Sequence, residues 1–393
     1  MSVCFDLVVI GAGIHGTGIA QAGAAAGHSV LLLEQTAVAA GSSSRSSKLI
    51  HGGLRYLETG QFALVRESLR ERALMLRLAP ALVHLQRFYI PVYAHTRRRP
   101  WQLRLGLTLY ALLGSLRAES RFGTVPRDQW HRLDGLDTTD LEAVFYYHDG
   151  QTDDRLLTRA VLRSAEALGA QLRCPAQFQG ARLEADGVTL SYAQDGQIIE
   201  SQARVLVNAA GPWAEPVAHR IAPAIRVPPL ECVQGAHIVL RGQPERGIYY
   251  LESPRDGRAV FVMPWQGQML VGTTESRFHG DPSAVAAHPA EIHYLLGVLK
   301  HYFPHTRALG EQDLIASFAG VRVLPGGSGH AFHRSRETQL ILDREVRPRV
   351  LSIYGGKLTT WRAVCARALA RIAASLPPRR ALARTDALPL SPE

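Results

Sequence analysis

Three glycines near the start of the chain have the spacing of a phosphate-binding turn. Gly11, Gly13 and Gly16 form Gly-X-Gly-X-X-Gly directly after the apolar run 5–10. The first glycine permits a tight turn, the second lets a pyrophosphate approach the backbone, and the third lets a helix pack closely on a strand. N–H groups at the start of that helix attract phosphate. Glu34 ends a second apolar run, where its carboxylate can bind an adenosine ribose. The pattern therefore predicts a dinucleotide site.

A hydroxyl-rich segment follows Glu34 and is predicted to extend this site. Residues 42–48 read SSSRSSK and lead into LIHGGLRYLE at 49–58. Hydroxyl groups and backbone donors in this segment can line a long cofactor from its pyrophosphate to its ring. A surface loop without a ligand is the alternative interpretation.

Five segments of the chain resemble, in order, the respiratory FAD-dependent glycerol-3-phosphate dehydrogenases of the D-amino-acid-oxidase-like flavoprotein superfamily. They are SSKLIHGGLRYLE (46–58), VNAAGPW (207–213), GTTE (272–275), GVR (320–322) and GGKLTT (355–360). The resemblance covers about residues 5–375. It departs from the family pattern at Ala210, Glu275 and Val323, and the family's usual C-terminal helical domain has no counterpart after it.

This resemblance implies a cofactor and a reaction. The cofactor is FAD, and the reaction is oxidation of sn-glycerol 3-phosphate to dihydroxyacetone phosphate by hydride transfer to flavin N5. Electrons then pass to quinone or another acceptor. An FAD-dependent oxidase or dehydrogenase of another small anionic hydroxy or amino acid stays open as an alternative, because this fold hosts many substrates.

The motifs and the resemblance together assign the cofactor contacts. The predicted set is Gly11, Gly13, Ile14, His15, Gly16, Glu34, Ser43, Ser44, Ser46, Ser47, Lys48, Leu49, His51, Gly52, Gly53, Ala210, Gly211, Trp213, Gly355, Gly356, Lys357, Leu358 and Thr359. Lys357 is predicted to open a helix, so that its charge and the helix N-terminus face the flavin ring where reduction places negative charge.

Substrate-binding and catalytic residues are predicted from the same motifs. Arginine suits a phosphate because its planar guanidinium binds two oxygens at once. The predicted substrate contacts are Arg55, Tyr56, Thr274, Arg322 and Arg336. The predicted catalytic residues are His51, His237, Arg322 and Lys357, with the two histidines as alternatives for accepting the hydroxyl proton because histidine titrates near neutral pH.

The sequence pattern predicts an α/β fold with an α+β second domain: a Rossmann-type FAD-binding domain interleaved with an antiparallel-sheet substrate domain. We assign residues 1–80, 150–225 and 315–375 to the first domain, residues 81–149 and 226–314 to the second, and residues 376–393 to a C-terminal tail. Helices are predicted at 61–79, 158–168, 289–302 and 357–374. Alternating apolar residues from 235 to 275 predict the antiparallel sheet.

The net charge and the cysteine content limit the kinds of partner and site that we expect. Lys and Arg total 44 against 34 Asp and Glu, a formal net charge of +10 that suits a phosphorylated substrate, an anionic membrane or nucleic acid. An RNA-binding or RNA-modifying flavoprotein is the alternative from another class, although the sequence has no RNA-binding motif. The four cysteines are widely spaced, which predicts structural thiols and no metal site.

One segment is a candidate for the membrane surface. Residues 97–116 combine arginines and a tryptophan with an apolar run too short to span a bilayer, which favours an interfacial helix over a spanning one. The absence of a basic and apolar leader before the first strand predicts a cytoplasmic protein, peripheral on the inner face of the cytoplasmic membrane. An ordinary buried helix and a homodimer stay open as alternatives.

Overall fold

The computed structural model describes residues 4–326 and 338–392. Arg336, one of the predicted substrate contacts, therefore lies outside the described residues. The helices are α1 (Ile14–Ala25), α2 (Phe62–Leu78), α3 (Pro100–Leu113), α4 (Asp154–Glu166), α5 (Ala214–Ala218), α6 (Pro289–Tyr302) and α7 (Trp361–Ile372). The strands are β1 (Cys4–Ile10), β2 (Val30–Leu33), β3 (Leu49–Ile50), β4 (Val83–Tyr93), β5 (Gly123–Thr124), β6 (Leu141–Thr152), β7 (Gln171–Arg173), β8 (Gln177–Glu184), β9 (Gly187–Gln194), β10 (Gln197–Asn208), β11 (Ile221–Ala222), β12 (Leu230–Leu240), β13 (Ile248–Glu252), β14 (Ala259–Trp265), β15 (Gln268–Gly272), β16 (Ser276–Arg277), β17 (Leu314–Pro325), β18 (Gln339–Leu342) and β19 (Val350–Tyr354).

The first sheet carries the glycine turn. Its strands follow the order β11-β8-β9-β10-β1-β2-β7, and β19 joins β10 beside β9. β1, β2, β7, β19 and the end of β10 are parallel. Both faces of β1 and β2 are buried, one against α1, α4 and α7 and the other against β8 and β9. α1 connects β1 to β2, packs against α4 and α7, and buries almost every residue. This is the predicted Rossmann-type unit.

The second sheet forms the other half of the molecule. Its strands follow the order β16-β12-β15-β14-β13-β4-β6-β3, with β17 on β12 and β5 on β6. Neighbours are antiparallel except for β13 and β4, which pair in parallel. α6 packs one face of this sheet and buries Leu295 and Leu299 completely. The predicted antiparallel sheet from 235 to 275 is therefore present, and it extends into strands far away in sequence.

Two predicted boundaries differ from the strand pairing. β17 pairs with β12 from Leu230↔Pro325 to Leu240↔Leu314, so the stretch after residue 315 belongs to the second sheet. β6 runs through the predicted boundary at 149–150. The reason is physical: each of these strands is long enough to cross from the core of the second sheet to the cofactor-binding segments.

All four predicted helices are present, and two of them begin several residues away from the predicted start. The helix predicted at 158–168 begins earlier, at Asp154, because Asp153 caps it by accepting hydrogen bonds from the N–H groups of Arg155 and Leu156. The helices predicted at 61–79 and 289–302 are α2 and α6. The helix predicted to open at Lys357 begins instead at Trp361, after a short 3₁₀ turn, and Lys357 itself is extended.

The C-terminal tail packs along the helices of the first sheet. Backbone N–H groups of Leu382 and Ala383 donate to the carbonyl of Ala25, and Leu390 donates to the carbonyl of Leu78. The Leu390 side chain is buried. The tail thus adds its contacts to the cofactor-binding half of the molecule.

Candidate active site

A cavity of about 630 Å³ lies between the two sheets. The glycine turn and Glu34, directly after β2, line one end of it, and the second sheet, through His237, Tyr250 and Arg322, lines the other. The cavity therefore extends from a phosphate-binding turn to a cationic end whose residues are distant in sequence from that turn.

The glycine turn has the geometry that a closely approaching pyrophosphate requires. Gly11 has a φ of 94°, and a Cβ placed on it would lie 2.9 Å from the carbonyl oxygen of Ala209. A Cβ on Gly16 would lie 1.7 Å from the carbonyl oxygen of Gly11, so only glycine lets α1 start this close to β1. The first turn of α1 contains no acidic residue, which leaves its N-terminus attractive to phosphate.

Glu34 stands at the end of β2 on the cavity wall. Its carboxylate accepts a hydrogen bond from the N–H of Ala12 at 2.8 Å and another from the N–H of Thr36 at 2.9 Å. These bonds fix the acid beside the glycine turn, where an adenosine ribose attached to the pyrophosphate would meet it.

Residues 42–48 are anchored by a buried carboxylate that the sequence analysis did not identify. Asp154 is fully buried and accepts hydrogen bonds from the Lys48 ammonium at 2.6 Å and the Ser46 N–H at 2.9 Å. Burial raises the pKa of Asp154, and Lys48 opposes that rise. The Lys48 ammonium also donates to the carbonyl of Ser44, so Lys48 shapes this segment from beneath. Ser43, in contrast, reaches the glycine turn and accepts from the N–H of Ile14 at 2.9 Å.

The segment 51–53 is held from two sides. The Thr359 hydroxyl accepts from the N–H of His51 at 3.0 Å and donates to its carbonyl at 3.2 Å. On the other side, the N–H of Gly52 donates to the Tyr110 hydroxyl at 2.9 Å. His51 lies on the cavity wall.

The cationic end of the cavity is built from Arg55, Arg322 and Lys357. Arg322 donates to the Thr273 hydroxyl at 3.0 Å, and its guanidinium crosses Gly235, where a Cβ would lie 2.1 Å from its Nη2 atom. The Lys357 ammonium lies 3.5 Å from the centre of the Tyr56 ring. Three cationic side chains around one end of the cavity suit a small anion.

The two candidate histidines lie on this cavity in different environments. His237 is 1% exposed, and burial, together with Arg322 and Lys48, lowers its pKa to about 3. Its Nε2 atom lies 3.0 Å from the Ser47 hydroxyl, and its ring stacks on Phe318. His237 is therefore neutral near pH 7 and a weak proton acceptor, whereas His51 lies on the wall in a partly exposed position.

Most of the predicted site residues line this single cavity. Among the predicted cofactor contacts these are Gly11, Gly13, Ile14, His15, Glu34, Ser43, Ser46, Ser47, Leu49, His51, Gly53, Ala210, Gly211, Trp213, Gly355, Gly356, Lys357, Leu358 and Thr359. Among the predicted substrate and catalytic residues these are Arg55, Tyr56, His237, Thr274 and Arg322.

Four of the predicted cofactor contacts do not reach the cavity wall: Gly16, Ser44, Lys48 and Gly52. They act beneath it, through helix packing at Gly16 and through hydrogen bonds at the other three. Thr274 lines the wall, but its hydroxyl donates to Glu291 at 2.6 Å and accepts from the N–H of Ala236. The neighbouring Thr273 is the threonine that contacts Arg322.

The sequence analysis also missed Asp149, Asp154 and Tyr250. Tyr250 lies on the cavity wall beside Phe261, with ring centres 5.2 Å apart. The two aspartates stand in HDGQTDD, between a run of alternating apolar residues and an amphipathic helix. Acidic residues at that position could have suggested a helix cap, but their partners Lys48 and Arg72 are too distant in sequence to be recognised.

These residues fit a flavin dinucleotide. The glycine turn, Glu34 and Ser43 match its pyrophosphate and ribose, and the His15 Nε2 atom is buried at the wall without a hydrogen-bond partner among the described residues. Burial lowers the pKa of His15 to about 4, so the ring is neutral near pH 7. Within the same described residues, no cluster of His, Cys, Asp and Glu side chains is arranged to hold a metal ion.

Comparison with known families decides the assignment, because residues 6–376 match the family described as FAD dependent oxidoreductase (DAO). The chain belongs to this family. It is 37% identical over 383 residues to the aerobic glycerol-3-phosphate dehydrogenase of Escherichia coli strain K12, covering 93% of this chain and 73% of that protein. It is 36% identical over 372 residues to the D-erythritol 1-phosphate dehydrogenase of Brucella abortus strain 2308, with the same coverage of both chains.

A solved structure shows the same fold. The glycerol-3-phosphate dehydrogenase from Bacillus halodurans complexed with FAD superposes with a TM-score of 0.77 at 24% identity, over 99% of this chain and 68% of that chain. Together with the family match, this confirms the predicted fold class and the predicted FAD cofactor.

Replacing Lys48 with Met tests the anchor under the serine segment. Removing the ammonium leaves a buried carboxylate without its counter-ion, which should lower the free energy of unfolding by roughly 3–5 kcal/mol. Chemical denaturation of FAD-loaded protein measures this. The exposed pair Arg182–Glu184 offers a control, Arg182→Met, which should change little. Adding Asp154→Asn to Lys48→Met should restore part of the loss, and no restoration would contradict the ion-pair explanation.

The low pKa of His237 predicts a pH-dependent stability. Its pKa is about 3 when folded and about 6.5 when unfolded, so between these values the unfolded chain binds one more proton. Stability from neutral His237 is complete above about pH 6.5 and decreases as the pH falls towards 3. In His237→Gln, the slope of unfolding free energy against pH in that window should be smaller by up to about 1.4 kcal/mol per unit.

Denaturant titrations at several pH values measure this slope. His219→Gln, at an exposed position, is the matched control. Equal slopes in His237→Gln and wild type would mean that His237 accepts a proton in the folded protein.

Proposed function

We propose that the protein oxidises sn-glycerol 3-phosphate to dihydroxyacetone phosphate with FAD. The observation that carries the proposal is the cavity that joins the glycine turn at Gly11 to the cations Arg55, Arg322 and Lys357. A phosphate monoester is a small anion that matches both the positive charge and the guanidinium geometry. The named function of the E. coli relative supports the same substrate.

In this reaction the residues bind the substrate, orient it and accept a proton. When bound, FAD supplies the acceptor for the hydride that leaves the C2 carbon of the substrate. Arg322, aligned by Thr273, holds the phosphate, and Arg55 and Lys357 balance negative charge at the same end. His51 accepts the C2 hydroxyl proton, because it lies on the wall with its backbone fixed by Thr359. His237 stays neutral and borders the substrate.

A longer polyol phosphate is the second candidate substrate. The Brucella abortus relative is named D-erythritol 1-phosphate dehydrogenase, and its identity to this chain is similar to that of the E. coli protein. Both substrates carry a phosphate and a secondary alcohol, so the same cations serve either. Turnover of glycerol 3-phosphate and of erythritol 1-phosphate at matched concentrations decides which has the higher kcat/KM.

Arg322→Ala is predicted to remove most activity while FAD stays bound. Leaving a buried phosphate without one such partner should cost roughly 2–5 kcal/mol, about thirty-fold to several-thousand-fold in kcat/KM. Arg322→Lys should restore only part, since an ammonium lacks the two-pronged geometry. Steady-state kinetics with an artificial electron acceptor measure both variants.

Glycerol, which has no phosphate, is the internal control for Arg322. The substitution should reduce the discrimination between glycerol 3-phosphate and glycerol. If Arg322→Ala lowers the activity on both compounds equally, Arg322 acts on the cofactor or on hydride transfer, and our assignment fails.

We propose further that α3 binds an anionic membrane surface from which a quinone takes the electrons. Trp101, Leu105 and Leu112 are 54–66% exposed and lie on one side of α3, while Leu107 and Tyr110 are buried on the other. Arg104 on α3 and Arg97 shortly before it add positive charge. Such a helix lies in the interface of a bilayer. No helix within residues 4–326 and 338–392 is long and apolar enough to cross a membrane.

Replacing Trp101 and Leu105 together with serine should abolish flotation with phosphatidylglycerol vesicles. Activity with a water-soluble quinone should remain, and activity with a long-chain quinone embedded in the vesicles should fall. Ile198→Ser is the matched control, because Ile198 is 67% exposed on another face. If the double variant instead converts a dimer to a monomer and wild type does not float, a second copy of this chain covers α3.

A further inference from the structure

We infer that Tyr110 is a positioning residue for the active-site segment 51–53. Its hydroxyl accepts a hydrogen bond from the N–H of Gly52 at 2.9 Å and donates to the Asp149 carboxylate at 2.8 Å. Tyr110 itself does not line the cavity, so its effect on the reaction passes through its neighbours: Gly52 belongs to the active-site segment, and Asp149 and Tyr147 line the wall. The inference rests on the proposed function only for its activity measurement.

The partners of Tyr110 are buried and fixed. Arg72, Tyr110 and Asp149 are each 1% exposed, and Arg72 forms an ion pair with Asp149. Arg72 also donates to the carbonyl of His148 at 2.8 Å and to the Ser120 hydroxyl at 2.9 Å. Burial raises the pKa of Asp149, and Arg72 opposes that rise. These hydrogen bonds give the Tyr110 hydroxyl one defined place.

The place of Gly52 makes this network relevant to the reaction. Gly52 stands between His51, on the cavity wall, and Gly53, whose φ of 78° turns the chain into the 3₁₀ turn 54–57. That turn carries Arg55 and Tyr56. The packing around Gly52 is tight, since a Cβ on Gly52 would lie 2.3 Å from the Tyr110 hydroxyl and 2.5 Å from Leu69. The hydrogen bond from Gly52 to Tyr110 therefore helps to orient the proposed base and two substrate contacts.

Without the Tyr110 hydroxyl, the backbone of Gly52 keeps only its longer contact to Asp149, at 3.3 Å. The segment is then free to shift away from its working position, although Thr359 still holds the backbone of His51. Substrate affinity depends mainly on Arg322, which stands on β17, so the loss should appear in kcat more than in KM.

The experiment compares Tyr110→Phe with Tyr249→Phe in the FAD-loaded protein. Tyr249 is a matched control, because it is fully buried, donates to Asp134 at 2.7 Å and lies outside the cavity wall. In Tyr110→Phe we expect amide hydrogen exchange of the peptide 49–57 to become roughly tenfold faster and the visible spectrum of bound FAD to shift. We expect kcat to fall roughly tenfold, with KM changed less than about threefold. Tyr249→Phe should change none of these.

The outcomes separate this inference from the proposed function. If exchange of 49–57 and the FAD spectrum in Tyr110→Phe match those of Tyr249→Phe, Tyr110 is only structural and the inference fails. If both change but glycerol 3-phosphate is not a substrate, the inference holds and the proposed function fails. In wild type, exchange at the Gly52 amide as fast as in the exposed turn 58–60 would also overturn the inference, whether or not Tyr110→Phe folds.

Discussion

Two buried carboxylates, one near the end of β6 and one at the start of α4, determine where the active-site segments lie. Asp154 binds Lys48 and the N–H of Ser46, and Asp149 binds Arg72 and Tyr110 and approaches the N–H of Gly52. Between them, β3 pairs with β6 at Ile50↔Gly150. The chain from 46 to 52 is thus attached at three points to β6 and to the first residue of α4. Since an unpaired buried charge is costly, these attachments are stable only together with their basic partners.

The cavity has an acidic residue at the cofactor end and basic residues at the substrate end. Glu34 stands beside the glycine turn, where ribose hydroxyl groups need an acceptor, and the cations Arg55, Arg322 and Lys357 stand at the other end. This separation orients a cofactor and an anionic substrate without competition between them. β17 belongs to the second sheet and brings Arg322 to the cavity, so the substrate end exists only when both sheets are folded together.

Much of the fold and the cofactor end followed from local sequence patterns. Gly11, Gly13 and Gly16 are recognisable because a tight turn and a close helix approach demand glycine at fixed spacing. The roles of Lys48 and Thr274 could not be predicted in the same way. Lys48 points beneath the cavity because its ammonium pairs with Asp154, and a partner 106 residues away is not visible in a local pattern. The Thr274 hydroxyl donates to Glu291 on α6. Lys357 was expected to open a helix because nothing in GGKLTT marks the 3₁₀ turn that delays α7 to Trp361.

The central claim, that bound FAD is reduced by a small phosphorylated alcohol held at the cationic end, is tested most directly by anaerobic mixing. Purified FAD-loaded protein is mixed with glycerol 3-phosphate in the absence of any acceptor while the visible flavin spectrum is recorded. We predict rapid loss of the oxidised-flavin absorbance at concentrations where glycerol has no effect. An unchanged spectrum with every phosphorylated polyol tested, together with reduction by an amino acid or a 2-hydroxy acid, would contradict the account.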